Sequence, residues 1–331
     1  MSCFSTGERK PGSSGGVTQR YGQGEAMYAI TIDRSRCKKD GLCASVCPAD
    51  IFVQREKLTI PELMNEEGCI ACGHCVAVCP QNAIQHSEFP LTATRAIQFE
   101  QMPTTDQVLE LLKSRRSIRA LRDKPLEKAT IERIIDGARF APSGHNSKST
   151  EYLVVQDKAV LNQVSATVID YLKFEIRRFG NTLFRTLALL ADREKAESGL
   201  HEIPGFKRMT RLFESGADPI LNSAPVLLAF HARRTVGFAD VNAQLALQNA
   251  SLVAHSLGIG HFYTGWVVSP CRAPMARTWN RRIPSLIGIP PGNELHGALA
   301  LGYPIPRFKN MIERKPAQIK WVQQTMGGGR R

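Results

Sequence analysis

Apolar positions along the chain follow two rhythms. "MYAITID" from Met27, "EYLVVQ" from Glu151 and "PVLLAF" from Pro225 are short apolar runs that read as strands, the last two buried. From Thr105 the spacing becomes helical: "TDQVLELLKS" sets Val108, Leu109, Leu111 and Leu112 near one face. "LEKATIERIIDGARFAPSG" repeats this at Ile131, Ile134, Ile135 and Ala138 before Pro142 stops it. Residues 240–257 form a long helix ending at Gly258, apolar almost all round, which must be buried centrally or in a subunit interface. "HFYTGWVV" follows as a further strand. Residues 170–220 are amphipathic and basic, with Pro204-Gly205 in their middle, and read as a cap over a site rather than surface packing.

The 331 residues, 43% hydrophobic and 22% charged, suffice for one large core and a small second domain. No apolar run approaches the roughly 20 residues that cross a bilayer, and residues 1–26, rich in Gly and Ser, lack the apolar centre of a secretory signal. That extension is expected to be disordered, with Met27 a second candidate start, and the expected compartment is the cytoplasm, with no membrane partner. Pro90 and the polar "QFEQMPTT" suggest a linker over 91–104 between a domain at 27–90 and another at 105–331.

Seven of the nine cysteines lie between Cys37 and Cys79, which points to thiolate metal ligands rather than to disulfides. They form a repeat of period 32. Cys37, Cys43, Cys47 and Pro48 recur as Cys69, Cys75, Cys79 and Pro80, while Asp40-Gly41 recurs as Cys72-Gly73. "CIACGHCVAVCP" is a complete C-x2-C-x2-C-x3-C-P run, whose fourth cysteine in two-cluster proteins ligates the other cluster. Zinc motifs pair two cysteines per knuckle, so zinc fits less well. In "CKKDGLCASVCP" Asp40 takes the place of the second cysteine. It is either an oxygen ligand or a residue of an Asp-Gly turn. Cys3 and Cys271 lie far from this cluster and are not expected to bind metal.

Residues 27–90 resemble bacterial two-cluster ferredoxins. The resemblance implies one 4Fe-4S cluster on Cys69, Cys72, Cys75 and Cys47, and a second on Cys37, Cys43 and Cys79 with Asp40 at the fourth place. The second is then a 3Fe-4S cluster, or a 4Fe-4S cluster completed by Asp40 or water.

The net charge of +13 is unevenly placed: residues 27–90 carry 6 Lys and Arg against 8 Asp and Glu, and residues 91–331 carry 34 against 20. The basic body suits anionic cofactors, anionic substrates or an acidic partner. Its basic residues are scattered among apolar ones and form no nucleic-acid module, so nucleic acid is not expected as a partner. "SRRSIR", residues 114–119, groups arginines and a hydroxyl suited to a phosphate. His145, His201, His231, His255, His261 and His296 have no metal-ligand spacing. No Ser-His-Asp order stands out, no catalytic side chain is assigned, and there is no dinucleotide-binding glycine motif.

After "SRRSIR" come "APSGHNSKSTEYLVV", "YTGWVVSP", "IGIPPGNELHGALALGYP" and "ERKPAQIKW". In this order they resemble the nitroreductase family of FMN enzymes over about residues 105–322. The resemblance implies an α+β fold, a mixed sheet flanked by helices, preceded here by the small ferredoxin-like domain. It implies that Arg115, Arg116 and Ser117 hold the FMN phosphate with Arg314 and Lys315, that Arg119 reaches the N1/O2 side of the ring, and that Asn146, with Ser143 nearby, meets its polar edge. Thr264 and Gly265 would offer backbone near N5. The family often reads Asn-Ser-Gln-Pro where this chain has Asn146-Ser147-Lys148-Ser149, which opens the ring contacts or the substrate charge preference to change. Family members are homodimers with FMN at the interface.

The expected function is that of an FMN oxidoreductase fed through its own clusters, by an external redox carrier or NAD(P)H. It would reduce a nitro compound, quinone or related small-molecule acceptor by hydride transfer from N5. The alternatives are a flavin dehydrogenase sending electrons outward through the clusters, and a redox-sensing or electron-carrying module without turnover.

Overall fold

The computed structural model describes residues 28–272 and 278–322; the extension 1–26, Met27 and Cys3 lie outside the described residues. The chain divides into two compact units, residues 1–102 with 142–149 and residues 103–141 with 150–331. Residues 91–102 and 142–149, expected in the linker and the body, therefore group with the first unit.

In the first unit the 32-residue repeat is written into the backbone. Strand β1 (Ile30–Ile32) pairs antiparallel with β4 (Ile84–His86), and β2 (Phe52–Val53) with β3 (Glu62–Leu63). Helices α1 (Leu42–Val46) and α2 (His74–Val78) each follow a left-handed glycine, Gly41 at φ 73° and Gly73 at φ 75°. A shift of 32 carries β1 onto β3, β2 onto β4 and α1 onto α2, so each half contributes one strand to each pair. Two pairs of non-glycine positive-φ positions obey the same shift: Lys39 at 61° with Ala71 at 46°, and Asp50 at 51° with Asn82 at 49°. The core is small, built from Ile30, Cys43, Ile51, Phe52, Cys75, Val76 and Ile84. Units this small usually need a metal or cross-link to stay folded.

The second unit holds α3 (Thr105–Ser114), α4 (Lys128–Ala138), β5 (Glu151–Val155), α5 (Lys158–Gly180), α6 (Thr182–Ala191), α7 (Arg193–Glu214), β6 (Val226–Arg233), α8 (Ala239–Ser256), β7 (Gly260–Tyr263), α9 (Gly265–Val268), α10 (Arg282–Ile287) and β8 (Asn293–Gly302). The sheet order is β5-β6-β8-β7, with all three pairings antiparallel. The α+β class expected from the sequence is therefore observed, while no parallel pairing of the expected mixed sheet occurs among the described residues.

Period-two alternation splits β6 between two cores. Leu227 and Ala229 face the cluster containing Val164, Val168 and Leu172 of α5 and Phe206 of α7, while Val226, Leu228 and Phe230 face that of Ile131, Ile134 and the alanines of α8. Helices thus cover both faces. β5 lies at the sheet edge, which is why the expected buried strand leaves Val154 exposed. α8 lies against the sheet through Ala243, Ala246, Ala250 and Ala254, and its small residues admit α4, where Gly137 meets Val253 with no room for a Cβ. The strand expected over "HFYTGWVV" stops at Tyr263. Val267 and Val268 are both buried, which a strand's alternation cannot achieve, and the chain turns into α9 instead. α7 runs through Pro204, held past the lost backbone donor by Phe206 and Met209 in the core.

Candidate functional site

Two cavities sort the cysteines of the first unit. Cys37, Asp40, Cys43 and Cys79 line one, and Cys47, Cys69, Cys72 and Cys75 line the other. The last cysteine of each run has crossed to the other half's cavity. Each cavity also has two backbone N–H groups aimed at sulfur: Lys39 to Cys37 at 3.4 Å and Ala83 to Cys79 at 3.2 Å in one, Ala71 to Cys69 at 3.4 Å and Ile51 to Cys47 at 3.3 Å in the other.

The chemistry of these groups fits iron–sulfur clusters. Burial pushes the Cys75 thiol up to about 12 and raises those of Cys43 and Cys69, so occupation by metal must release protons. Among the described residues no three His, Cys, Asp or Glu side chains converge on a point that would hold a single ion. Three thiols with Asp40 line one space and four thiols line the other, a donor set that iron–sulfur clusters take. Asp40 is exposed, and its Oδ1 accepts the Leu42 N–H at 3.2 Å. The residue both turns the chain and lines the cavity. Cys271 belongs to the second unit, its thiol pushed up to about 12 by burial and placed 3.6 Å from the Val267 carbonyl oxygen.

Sequence reasoning passed over His86. This buried residue lies on β4, with Nε2 3.5 Å from the Cys69 sulfur and the ring between Tyr28 and Phe89. The available signal was its position in the repeat, 32 residues after Gln54.

In the second unit, the "SRRSIR" segment leaves the end of α3 and is pinned on both sides. Ser114 Oγ lies 2.9 Å from His255 Nε2, and the Ile118 N–H donates to the His261 carbonyl oxygen at 2.9 Å. Arg116 Nη2 donates to the Ile312 carbonyl oxygen at 3.3 Å, which brings it to the exposed stretch that carries Arg314 and Lys315. Ser117 is exposed between them. Burial, aided by the Arg115 charge, holds His255 below its ordinary value and His261 at about 4. Two neutral imidazoles therefore back the arginine segment.

Arg119, 5.4 Å from the centre of the Phe262 ring, lines a cavity with Phe262, Thr264, Gly265 and Trp266. Glu202 of α7 closes its side, and an adjoining cavity adds Phe206, Arg208 and Met209. The helices of residues 170–220 thus supply a wall to this site. Thr264 Oγ1 is buried without a partner among the described residues, an orphan hydroxyl that a bound polar ligand would satisfy. Ser143 and Asn146 belong to the first unit. Ser143 Oγ accepts the Lys148 N–H at 3.0 Å, and Asn146 Nδ2 donates to the carbonyl oxygens of Ile70 and Ala71 at 3.2 and 2.6 Å. Lys148 lies 3.9 Å from Glu88 and over the Phe89 ring.

The model of the Nitroreductase family matches residues 112–303, more than half of the chain. The chain belongs to the Nitroreductase family. A 4Fe-4S dicluster domain model matches residues 29–80, ahead of the nitroreductase part. A protein of Archaeoglobus fulgidus named for an NADH dehydrogenase or NAD(P)H nitroreductase is 26% identical over 60% of this chain and 86% of its own length. A Methanothermobacter thermautotrophicus protein of the same name is 26% identical over 48% of this chain, which spans 60% of that relative's length. A "Ferredoxin 7Fe" of Hydrogenibacillus schlegelii is 41% identical over 15% of this chain and 62% of its own. An FMN-bound nitroreductase structure from Bacteroides fragilis aligns at 21% identity and a TM-score of 0.45, over 66% of this nitroreductase-family chain and 100% of that one. No helix among the described residues is long and apolar enough to cross a membrane.

Proposed function

We propose that the protein is an FMN-dependent oxidoreductase that receives electrons through two iron–sulfur clusters and reduces a nitro compound, a quinone or a related electrophile. The observation that carries this reading is the crossing of Cys47 and Cys79 between the two cavities, joined in one chain to a nitroreductase body. When bound, the clusters pass single electrons and FMN delivers a hydride from N5. The chain's own groups bind and orient these cofactors.

Arg115, Arg116 and Ser117, with Arg314 and Lys315, hold the phosphate; guanidinium forks match its oxygens and stay charged at any physiological pH. Arg119 faces the pyrimidine side of the ring, and the Thr264–Gly265 backbone meets the N5 side. The orphan Thr264 hydroxyl beside Arg119 supports that placement.

Cys47, Cys69, Cys72 and Cys75 hold a 4Fe-4S cluster. Cys37, Cys43 and Cys79 hold a 3Fe-4S cluster, with Asp40 at the corner that lacks a thiolate. The name of the Hydrogenibacillus relative supports this assignment, because one three-iron and one four-iron cluster contain seven irons. The protein acts as a homodimer: Val108, Leu109 and Leu112 of α3 form an apolar stripe that the single chain leaves exposed.

The test is anaerobic. Clusters reduced by an external ferredoxin should reduce the bound FMN, and turnover with nitro or quinone acceptors should follow. Clusters that stay reduced beside oxidised FMN refute the internal route. Slow flavin reoxidation with every acceptor would mark a redox sensor instead. Parallel assays with NADH and NADPH identify the donor.

A further inference from the structure

We infer that His86 is a positioning residue that donates its Nε2–H to the Cys69 thiolate and raises the reduction potential of the cluster held by Cys47, Cys69, Cys72 and Cys75. The inference rests on the iron–sulfur reading above.

The protonation state of the ring follows from its partners. The Glu88 backbone N–H donates to His86 Nδ1 at 3.1 Å, so Nδ1 is an acceptor and the proton of the neutral ring is on Nε2. That nitrogen lies 3.5 Å from Cys69 Sγ. Tyr28 and Phe89, with ring centres 5.3 and 4.9 Å away, hold the imidazole in this orientation, and its burial keeps water from competing for the sulfur.

The repeat supplies an internal comparison. The four backbone donors to sulfur occur as two pairs related by the shift of 32, Lys39 with Ala71 and Ile51 with Ala83, so the two cavities are matched in their main-chain bonds. The same shift relates His86 to Gln54. Gln54 spends its Nε2 on the carbonyl oxygens of Lys39 at 3.0 Å and Thr59 at 2.7 Å, and no side-chain donor to the Cys37 sulfur occurs among the described residues. Among the ligand positions and the side-chain donors to their sulfurs, the halves thus differ at Asp40 against Cys72 and at Gln54 against His86. A donor to a ligand sulfur stabilises the extra negative charge of the reduced cluster more than that of the oxidised one, and so shifts the potential upward.

The experiment is an anaerobic potentiometric titration of the purified holoprotein, followed by electron spin resonance, for wild type and His86→Phe. Phenylalanine keeps an aromatic ring between Tyr28 and Phe89 and removes the donor. The expected result is about a tenfold fall in the reduced-to-oxidised ratio of the four-cysteine cluster at fixed potential, about 59 mV for one electron, with the Asp40 cluster unmoved. No shift, or an equal shift in both clusters, overturns the inference. Should His86→Phe not retain its clusters, pulsed resonance on a His74→Asn protein labelled with 15N only in its imidazole rings decides, because His74 lines the same cavity. A histidine nitrogen coupled to the reduced four-cysteine cluster upholds the bond, and its absence refutes it. A wild-type protein without cluster signals would instead remove the underlying iron–sulfur reading.

Discussion

Asn146 Nδ2 donates to the carbonyl oxygen of Ala71 at 2.6 Å. Ala71 lies between Cys69 and Cys72 at φ 46°, and its own N–H points at the Cys69 sulfur. With its second bond, to Ile70, Asn146 clamps the short bridge that spaces two proposed cluster ligands. Asn146→Ala leaves two partly buried carbonyls without this donor, a cost of about 1–3 kcal/mol. The variant should lose its cluster absorbance in air faster than wild type. Unchanged bleaching together with weaker FMN binding would assign the side chain to the flavin alone.

Replacing Asp40 addresses the asymmetry of the repeat directly. Asp40→Cys restores the residue that Cys72 provides in the other half, beside the same left-handed glycine. The oxidised wild type should give a three-iron resonance signal. The variant should lose it and give two similar four-iron signals when reduced. An unchanged spectrum would mean that position 40 never meets the metal.

The first unit was legible in the sequence because its ligands are local: spacing within each run and the shift of 32 between runs fix the backbone, down to paired positive-φ residues such as Lys39 and Ala71. Helices α3 and α4 were legible because their faces follow a 3.6-residue period, and α8 because its long, largely apolar run ends at Gly258. The end of β7 was not, because "HFYTGWVV" is apolar throughout and only packing decides that Val267 and Val268 are buried together. The roles of His86 and His255 were hidden for another reason. Each acts through a partner outside its own element, Cys69 17 residues away and Ser114 141 residues away, and the repeat marks only the place of His86, not its bond to sulfur.

Arg116 provides a test of the phosphate site. Its guanidinium already bonds the Ile312 carbonyl oxygen, so it joins the segment after α3 to the stretch bearing Arg314. A charge-assisted bond to phosphate is worth about 1.5–3 kcal/mol, and Arg116→Ala should weaken FMN binding by roughly ten- to a hundredfold. Flavin fluorescence during titration of the apoprotein measures this directly. Affinity within twofold of wild type would exclude Arg116 from the phosphate site.

His261 predicts how stability responds to acid. The ring is buried; Nδ1–H donates to the Ile259 carbonyl oxygen at 3.2 Å, and Nε2 lies 2.8 Å from Ser251 Oγ. Burial is the main cause that holds it at about 4, and the nearby Arg115 and His255 push the same way. The unfolded chain, with an ordinary histidine near 6.5, takes up the proton first as pH falls. Between about 6.5 and 4 the unfolded state therefore binds more protons, and the folded state loses up to about 3 kcal/mol relative to neutral pH. All three tryptophans, Trp266, Trp279 and Trp321, lie in the second unit, so their fluorescence reports its unfolding alone. Denaturation at pH 7.5 and pH 4.5 should show this loss in wild type, with a flatter pH response in His261→Asn whatever its stability at neutral pH. Equal slopes in the two proteins would mean that the ring takes up its proton over the same pH range in the folded and the unfolded chain.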